Sequence, residues 1–456
     1  MRSVPAGYDL AEARLRVHMF DGAESGGSNQ FRGEQNARLR FRCPPMQRSF
    51  RYAERMTAQV PFGLELPRAT VWPDYGDGGL FGLVRSFADY LDRGVWRPSG
   101  DAETQRGRVL VFLLIDGLGD NFLQRFGGGG ALAAYRRGRL TSVFPSTTAS
   151  AVTTTMTGLA PAQHGLTGWF IRDRRFGGLL APLPLYRRDG GTLAAPRLAE
   201  RLFPYRSLYQ NRSQSSVLVS PREIAWSRFS KRHARAARIT GYQRGVQGLV
   251  DAIIKGVEEL YSAGGGYLHA YYPHFDTLCH EFGSTSEEAQ IEFWRVDDGF
   301  AQLLDRLAGA GCDVVVSADH GFTDTSEAYT VDLDAQPGLV EMLECPLWGE
   351  RRAAFCAVRQ GAAAEFEAAV AETFSGKAVV ARSKTLVEAG LFGPGRPNAR
   401  LAERVGTHTL LMEPGWTVLD RMPGEKPHRL IGVHGGLSPD EMWIPFIHAT
   451  SSGLPD

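Results

Sequence analysis

Long apolar runs are missing from this sequence of 456 residues. No hydrophobic stretch approaches the roughly 18 residues that a membrane-spanning helix needs. The N-terminal stretch "MRSVPAGYDLAEARLRVHMF" is interrupted by charges and lacks the apolar core of a secretion signal, which spans about 7 to 15 residues. Apolar residues make up 43% and charged residues 22% of the chain, as in ordinary globular enzymes. We therefore expect a cytoplasmic protein that does not bind a membrane.

Paired cysteines are also missing. The sequence has an odd number of cysteines and no C-x-x-C spacing. This pattern argues against a disulfide framework and against a zinc site built from thiolates. Most of the cysteines are expected to be small core residues, and they are Cys43, Cys279, Cys312, Cys345 and Cys356.

Charge of one sign does not dominate the whole chain, whose net charge is +1, but it dominates one part. Residues 170–244 carry sixteen Lys or Arg against four Asp or Glu, interleaved with aromatic residues. Such a segment could hold phosphates and stack bases. A solvated basic face explains the same composition, and nucleic-acid binding is not excluded.

Apolar segments of strand length alternate with amphipathic segments of helix length. This alternation predicts an α/β fold with a mostly parallel sheet. Thr285, followed by Glu288 three residues later, predicts a capping box at the start of the last of these helices. The predicted strands are 109–116, 215–219, 267–272 and 313–319, and the predicted helices between them are 248–264 and 286–311.

Changes in this alternation of strands and helices divide the chain into three regions. Residues 1–60 are rich in Gly, Arg and Ser without a sustained period, which predicts a loose N-terminal extension. Residues 61–334 and 405–456 form the predicted catalytic core, to whose sheet the segment "HTLLM" returns. Residues 335–404 read as a small α+β insertion, or cap, with a helix from about Ala362 to Phe374.

Carboxylates and imidazoles cluster in four short stretches. Asp116, Asp276 and Asp319 each stand at or just past the end of a predicted strand, where the active sites of parallel sheets form. Taken singly, each cluster has an ordinary structural explanation, such as a turn at Asp-Gly. Together, without a thiolate among them, they suit divalent ions such as Zn or Mn. The stretches are "IDG" with Asp116, "HFDTLCHEFG" with Asp276 and His280, "SADHGFTD" with Asp319 and His320, and "VHGGLSPDE" with His434.

In this order, and together with "HGLTGW" and "HGGLSPDEMWIPF", the motifs resemble the alkaline phosphatase superfamily, in particular its type I phosphodiesterase and nucleotide pyrophosphatase family. The resemblance covers roughly residues 70–450. It implies a three-layer α/β sandwich, with a mostly parallel central sheet flanked by helices. It also implies two metal sites, the first formed by Asp116, Asp319, His320 and the nucleophile, and the second by Asp276, His280 and His434.

The stretch "SVFPSTTASAVTTTMTG" offers eight hydroxyl groups between Ser146 and Thr157. In the family, the nucleophilic Thr or Ser follows a Pro-containing turn and stands nine residues before the Thr of a Thr-Gly pair. The resemblance therefore assigns Thr148, with Thr147 as second choice. A helix start suits this role because its free N–H groups and positive dipole end attract phosphoryl oxygens. Ala151 stands where many nucleotide pyrophosphatases have a phosphoryl-binding Asn, so another donor or another substrate is required.

The resemblance implies a metal-dependent hydrolase of phosphodiester or pyrophosphate bonds, acting on a nucleotide-like phosphate ester through a phospho-threonine. Two divalent ions are expected. Zn is the preferred metal, and Mn is the alternative. Three alternatives stay open at this point: a phosphonate hydrolase, a phosphomonoesterase, and a non-catalytic nucleotide-binding module stabilised by metal.

Overall fold

The computed structural model describes residues 63–94, 96, 109–422, 425 and 429–451. The extension predicted for residues 1–60 and Cys43 lie outside them. The strands of the described part are β1 (Val109–Ile115), β2 (Arg136–Thr141), β3 (Ile171–Asp173), β4 (Gly178–Ala181), β5 (Tyr186–Arg187), β6 (Ser215–Pro221), β7 (Arg238–Tyr242), β8 (Gly266–Tyr272), β9 (Asp313–Ser317), β10 (Thr323–Asp324), β11 (Thr330–Asp332), β12 (Trp348–Gly349), β13 (Ala353–Cys356), β14 (Ala378–Arg382), β15 (His408–Met412), β16 (Thr417–Leu419), β17 (Gly432–Val433) and β18 (Trp443–Thr450).

Helices alternate with these strands. None of those in the described residues is long and apolar enough to cross a membrane. The α-helices are α1 (Leu80–Arg93), α2 (Asp120–Phe126), α3 (Ala131–Ala134), α4 (Thr148–Thr157), α5 (Pro161–His164), α6 (Leu198–Leu202), α7 (Arg222–Ala225), α8 (Arg228–His233), α9 (Gly245–Ser262), α10 (His274–Phe282), α11 (Glu287–Arg306), α12 (Pro337–Glu341), α13 (Ala363–Thr373), α14 (Ser383–Glu388), α15 (Leu401–Val405) and α16 (Pro439–Met442).

The largest sheet of the described residues has seven strands, in the order β2-β18-β9-β1-β8-β6-β7. The five strands from β9 to β7 run parallel, whereas β18 pairs antiparallel with both β9 and β2. Every residue of β1 is buried, as expected for a parallel strand that is covered on both faces. The prediction of a mostly parallel sheet is confirmed.

Helices cover both faces of this sheet. Gly256 of α9 packs against Leu268 on one face of β8. The ring of Phe87 of α1 packs against Phe112 and Tyr267, with centroids 4.9 and 5.6 Å away. Leu268 and Tyr267 are adjacent in β8 and therefore point to opposite faces. The two helices thus lie on opposite sides, which confirms the three-layer sandwich.

A second sheet of four antiparallel strands has the order β12-β13-β15-β14. On one face Phe355 packs with Trp348 and Phe392, and on the other Cys356 packs with Phe366 of α13. The segment "HTLLM" is β15 of this sheet, so the prediction that it returns to the main sheet was wrong. All five residues of β15 are buried, and a uniformly buried strand has no alternation that would indicate which sheet it joins.

The helix predicted to begin with a Thr285–Glu288 capping box is capped one residue later. The Ser286 hydroxyl accepts a hydrogen bond from the backbone N–H of Ala289, at 3.1 Å. The Thr285 hydroxyl points instead to the Asp324 carboxylate, at 3.4 Å. Ser and Thr can both cap a helix. Here the contact of Thr285 with Asp324, which is distant in the sequence, leaves Ser286 as the cap.

Part of the basic segment 170–244 belongs to the main sheet, in which it forms β6 and β7. Several of its aromatic rings, including Tyr209, Phe229 and Tyr242, are buried in the core. These buried rings are therefore not available to stack bases. Half of its basic residues form ion pairs, namely Arg172 and Arg174 with Glu344, Arg175 with Asp173, Arg187 with Asp189, Arg188 with Asp420 and Glu425, Arg212 with Asp92, Arg235 with Glu200, and Arg238 with Glu259.

Candidate active site

Three neighbouring strands of the main sheet, β9, β1 and β8, deliver the candidate residues at their carboxyl ends. Asp116 follows β1 directly, and Asp319 comes two residues after β9. Asp276 and His280 lie on α10, which begins just after β8 and places them four residues apart on one face. Because the strands are parallel, these ends meet at one edge of the sheet.

The first group consists of Asp116, Asp319 and His320, all buried. The Nε2 atom of His320 lies 3.4 Å from Oδ1 of Asp116 and 3.4 Å from Oδ2 of Asp319. One ligand atom from each residue lies within 4.8 Å of the others. Three of the four residues that the resemblance assigns to the first metal site thus lie together.

The second group consists of Asp276, His280 and His434. His434 follows β17, a short strand paired with β10 and remote from α10 in the sequence. Its Nε2 atom lies 3.2 Å from Nε2 of His280 and 3.9 Å from Oδ1 of Asp276. The two groups adjoin each other, because the His320 and His434 rings stack with centroids 3.7 Å apart.

Backbone carbonyl groups set the tautomer of all three imidazoles. The Nδ1 atoms of His320, His280 and His434 face the carbonyl oxygens of Gly321, Gly432 and Ser146, at 3.1, 2.8 and 3.2 Å. A carbonyl oxygen only accepts, so each Nδ1 carries the hydrogen and donates it. In the neutral ring, Nε2 then presents its lone pair to the site, as metal-binding histidines do.

Three carboxylate oxygens at the centre of the site are buried without a hydrogen-bond partner among the described residues. They are Oδ1 of Asp116, Oδ1 of Asp276 and Oδ2 of Asp319. Burial, together with the charges of Asp319 and Asp276, raises the pKa of Asp116 well above its usual range, and burial raises the pKa of Asp276 to about 7. Unpaired buried carboxylates are costly, and a bound cation removes that cost.

Burial lowers the pKa of His280 to about 4. The pKa of His434 is well below its usual range, because of burial and the nearby His320 and His280 rings. Both imidazoles are therefore neutral near pH 7. Neutral imidazoles and carboxylate oxygens are the donor set that divalent Zn or Mn takes, so the residues present fit such ions.

Thr148 is the first residue of α4, and Thr147 is its N-cap. Seven of the eight hydroxyl-bearing residues between Ser146 and Thr157 are buried, and Thr148 alone is partly exposed. Its Oγ1 lies 3.2 Å from Nε2 of His320. The Thr147 hydroxyl instead donates to Oε1 of Glu350, at 2.6 Å. Exposure and position therefore favour Thr148 over Thr147 as the reactive group.

The remaining hydroxyls have structural partners. Ser146 donates to the Gly436 carbonyl group at 2.7 Å, and Thr153 donates back to Ala149 at 2.7 Å. The others contact the chain in similar ways: Ser150 with Leu166, Thr154 with His164, Thr155 with Val152, and Thr157 with Thr153.

The start of α4 carries free donors. Within the described residues, the backbone N–H groups of Thr148 and Ala149 have no acceptor, whereas those of Ser150 and Ala151 both bond to the Thr147 carbonyl group. Unpaired N–H groups at a helix start bind anions. Ala151, three residues after Thr148, is fully buried and offers no side-chain donor.

Sequence reasoning missed the residues that orient the candidate ligands. The Tyr271 hydroxyl donates to Oδ2 of Asp116. The backbone N–H of Gly117 donates to Oδ1 of Asp319 at 3.0 Å. Gly117 has a φ of 77°, and a Cβ there would lie 2.4 Å from the Phe322 ring, so only glycine fits. The Asp116-Gly117 pair could have indicated the role of Gly117 from the sequence. Tyr271 lies within a strand, and nothing in the sequence indicates its role.

A buried ion pair supports the loop that carries His434. The guanidinium group of Arg352 contacts the Glu441 carboxylate at 2.7 Å, and both side chains are fully buried. Oε1 of Glu441 accepts from the backbone N–H of Gly436 at 2.7 Å. Burial raises the pKa of Glu441, but Arg352 and these hydrogen bonds outweigh it and hold the pKa below its usual range.

A cavity of about 450 Å³ opens beside the site. Glu350 lies on its wall and also contacts Thr147, so the cavity borders the start of α4. Apolar and charged side chains share its lining, including Phe170, Arg188, Trp348 and Arg351.

The family model for type I phosphodiesterase and nucleotide pyrophosphatase matches residues 110–182 and 204–437. These ranges cover more than half of the chain and contain all seven candidate residues. No curated protein sequence matches the chain.

Solved structures share the fold at low sequence identity. An inactive variant of murine ectonucleotide pyrophosphatase/phosphodiesterase 5, in complex with AMP, is 18% identical with a TM-score of 0.52, over 75% of this chain and 88% of that one. Phosphonoacetate hydrolase from Sinorhizobium meliloti, in complex with phosphonoformate, is 16% identical with a TM-score of 0.53, over 78% and 93%.

Proposed function

The chain belongs to the type I phosphodiesterase/nucleotide pyrophosphatase family, and from this membership we propose that it hydrolyses phosphodiester or pyrophosphate bonds with Thr148 as nucleophile. One observation carries the proposal. Of the eight hydroxyl-bearing residues around the start of α4, the single partly exposed one lies 3.2 Å from His320 of the first candidate ligand group.

This site would hold two divalent ions. Zn is the first choice for both, and Mn is the second choice. Asp116, Asp319, His320 and Thr148 would hold one, and Asp276, His280 and His434 the other. When bound, such ions supply charge stabilisation at the phosphoryl oxygens and a lowered pKa for a hydroxyl or water ligand. The unpaired carboxylate oxygens and the Nε2 lone pairs support this assignment.

The reaction would proceed in two displacements at phosphorus. In the first, a bond forms between Oγ1 of Thr148 and phosphorus while the bond to the leaving oxygen breaks, and the hydroxyl proton of Thr148 passes to the leaving group, which departs as an alcohol or phosphate. In the second, a water oxygen bonds to phosphorus, the phospho-threonine bond breaks, and Thr148 regains its proton. The threonine is thereby restored for another cycle.

Backbone donors would replace the amide side chain that is missing at Ala151. The N–H groups of Thr148 and Ala149 are unpaired and stand at the positive end of α4. A phosphoryl oxygen on Thr148 would accept from them, and the other half of a nucleotide-like substrate would extend towards the cavity beside Glu350.

A phosphonate hydrolase is the second candidate. The absence of an amide at position 151 departs from many nucleotide pyrophosphatases, and a phosphonoacetate hydrolase shares the fold. Both reactions would use the same seven residues, so only substrates distinguish them.

Hydrolysis rates test the proposal. Bis-p-nitrophenyl phosphate, p-nitrophenyl phosphate and phosphonoacetate should be compared with added Zn or Mn and with a chelator. We expect the diester to be hydrolysed fastest, and the chelator to abolish turnover. Fastest release of phosphate from phosphonoacetate would establish the second candidate. Metal-dependent thermal stabilisation without turnover of any ester would favour a binding module.

A further inference from the structure

The hairpin between β12 and β13 reaches from the small sheet into the site. Glu350 at its tip accepts two hydrogen bonds on Oε1, from the Thr147 hydroxyl and from the backbone N–H of Trp169, both at 2.6 Å. A Cβ on Gly435, next to His434, would lie 2.6 Å from Cβ of Glu350. Glu350 is therefore fixed between the start of α4 and the loop of a candidate ligand.

Neutral donors hold the Glu350 carboxylate, and the nearby Arg351 guanidinium offsets the effect of burial on its pKa only in part. Burial raises its pKa to about 7, so it is mostly ionised in mildly alkaline solution. Because Thr147 and Thr148 are adjacent, a phosphoryl group on Thr148 experiences this negative charge at short range.

We infer that Glu350 determines specificity by disfavouring dianionic phosphoryl groups relative to monoanionic ones. The inference rests on the proposed function and narrows its substrate class to diesters and similar monoanions. A diester carries one negative charge, whereas a monoester carries nearly two above its second pKa of about 6. A fixed carboxylate close to phosphorus therefore repels a monoester more strongly than a diester, because the monoester carries a second negative charge.

The substitution Glu350→Gln removes the charge and keeps a carbonyl oxygen that accepts both hydrogen bonds. Glu365→Gln, at an exposed position on α13 that does not line the cavity, is the matched control. The values of kcat/KM for p-nitrophenyl phosphate and bis-p-nitrophenyl phosphate are measured at pH 8.5 with saturating metal. We expect Glu350→Gln to raise the monoester-to-diester ratio about tenfold, as one charge at a few ångströms implies. The control should leave the ratio unchanged.

A second measurement keeps the inference separate from turnover. The dissociation constant of inorganic phosphate is determined by calorimetry for the metal-loaded proteins at the same pH. We expect phosphate to bind Glu350→Gln about tenfold more tightly than wild type, for the same electrostatic reason. If wild type hydrolyses neither ester, the proposed function fails, and the phosphate affinities still test Glu350. An unchanged ratio, or equal phosphate affinities in a folded variant, would overturn the inference.

Discussion

The Nε2 atoms of His280 and His434 lie 3.2 Å apart, although 154 positions separate the residues in the sequence. Each Nδ1 donates to a backbone carbonyl group, and the low pKa of each ring keeps it neutral. Two lone pairs therefore face each other beside the unpaired oxygen of Asp276. Lone pairs that face each other repel, and a cation bound between them is strongly attracted to both.

Metal ions should raise the thermal stability. At a free metal concentration one hundred times the Kd, a single site adds about 2.7 kcal/mol to the free energy of unfolding. We expect Zn or Mn to raise the Tm and EDTA to lower it, as followed by scanning calorimetry. Asp319→Asn should weaken the response, whereas Asp305→Asn, at an exposed position, should retain it. An equal response in both variants would show that the metal binds elsewhere.

The ion-free protein should respond to pH through Asp276. Its folded pKa of about 7 exceeds the unfolded value of about 3.9, so the unfolded state loses its proton first as pH rises. Folded stability from this group is therefore lost between about pH 4 and pH 7. In EDTA, the stability of Asp276→Asn minus that of wild type should grow across this range and then stay constant. Urea unfolding at several pH values measures it, and a difference that falls with pH would contradict the assignment.

Breaking the buried Arg352–Glu441 pair should be costly. Removing one partner leaves the other charge buried and unpaired, which typically lowers the free energy of unfolding by about 3 to 5 kcal/mol. We expect Glu441→Gln to lower the free energy of unfolding by this amount and to weaken metal binding, because Glu441 holds the backbone of Gly436 near His434. Arg382→Ala, which breaks an exposed pair with Glu367, should change the Tm little. Similar losses in both variants would refute the special role of the buried pair.

Thr148 variants should separate chemistry from folding. We expect Thr148→Ala to reduce kcat by about a thousandfold or more, because Thr148 is the one partly exposed residue among the eight hydroxyl-bearing residues from Ser146 to Thr157. Thr148→Ser, which keeps a hydroxyl, should retain measurable turnover through a serine intermediate. Both variants should keep most of the metal-dependent rise in Tm. Wild-type rates in Thr148→Ala would exclude it as nucleophile.

Much of the central sheet and of the candidate site could be predicted from the sequence. Asp116 and Asp319 follow apolar strands, and the carboxyl ends of adjacent parallel strands meet at one edge, so their proximity follows from the pattern alone. The position of Thr148 came from the family resemblance, and the structure adds that it is the partly exposed hydroxyl.

Contacts between distant segments could not be predicted. Glu350 and Thr147 are 203 residues apart, and no periodicity relates the tip of a hairpin in the small sheet to the start of α4. The partner of Arg352 lies 89 residues away, and the residues of β15 are all buried, so its pattern does not indicate which sheet it joins. These relationships depend on tertiary packing, which a one-dimensional pattern does not encode.

The most direct test of the account is the identity of the phosphorylated residue. Metal-loaded protein is mixed with bis-p-nitrophenyl phosphate, quenched in acid within the first turnovers, digested and examined by mass spectrometry. The account predicts a p-nitrophenyl phosphoryl group on Thr148 in wild type and none on this peptide in Thr148→Ala. The same modification on another residue, or rapid turnover with no modified peptide in wild type, would contradict it.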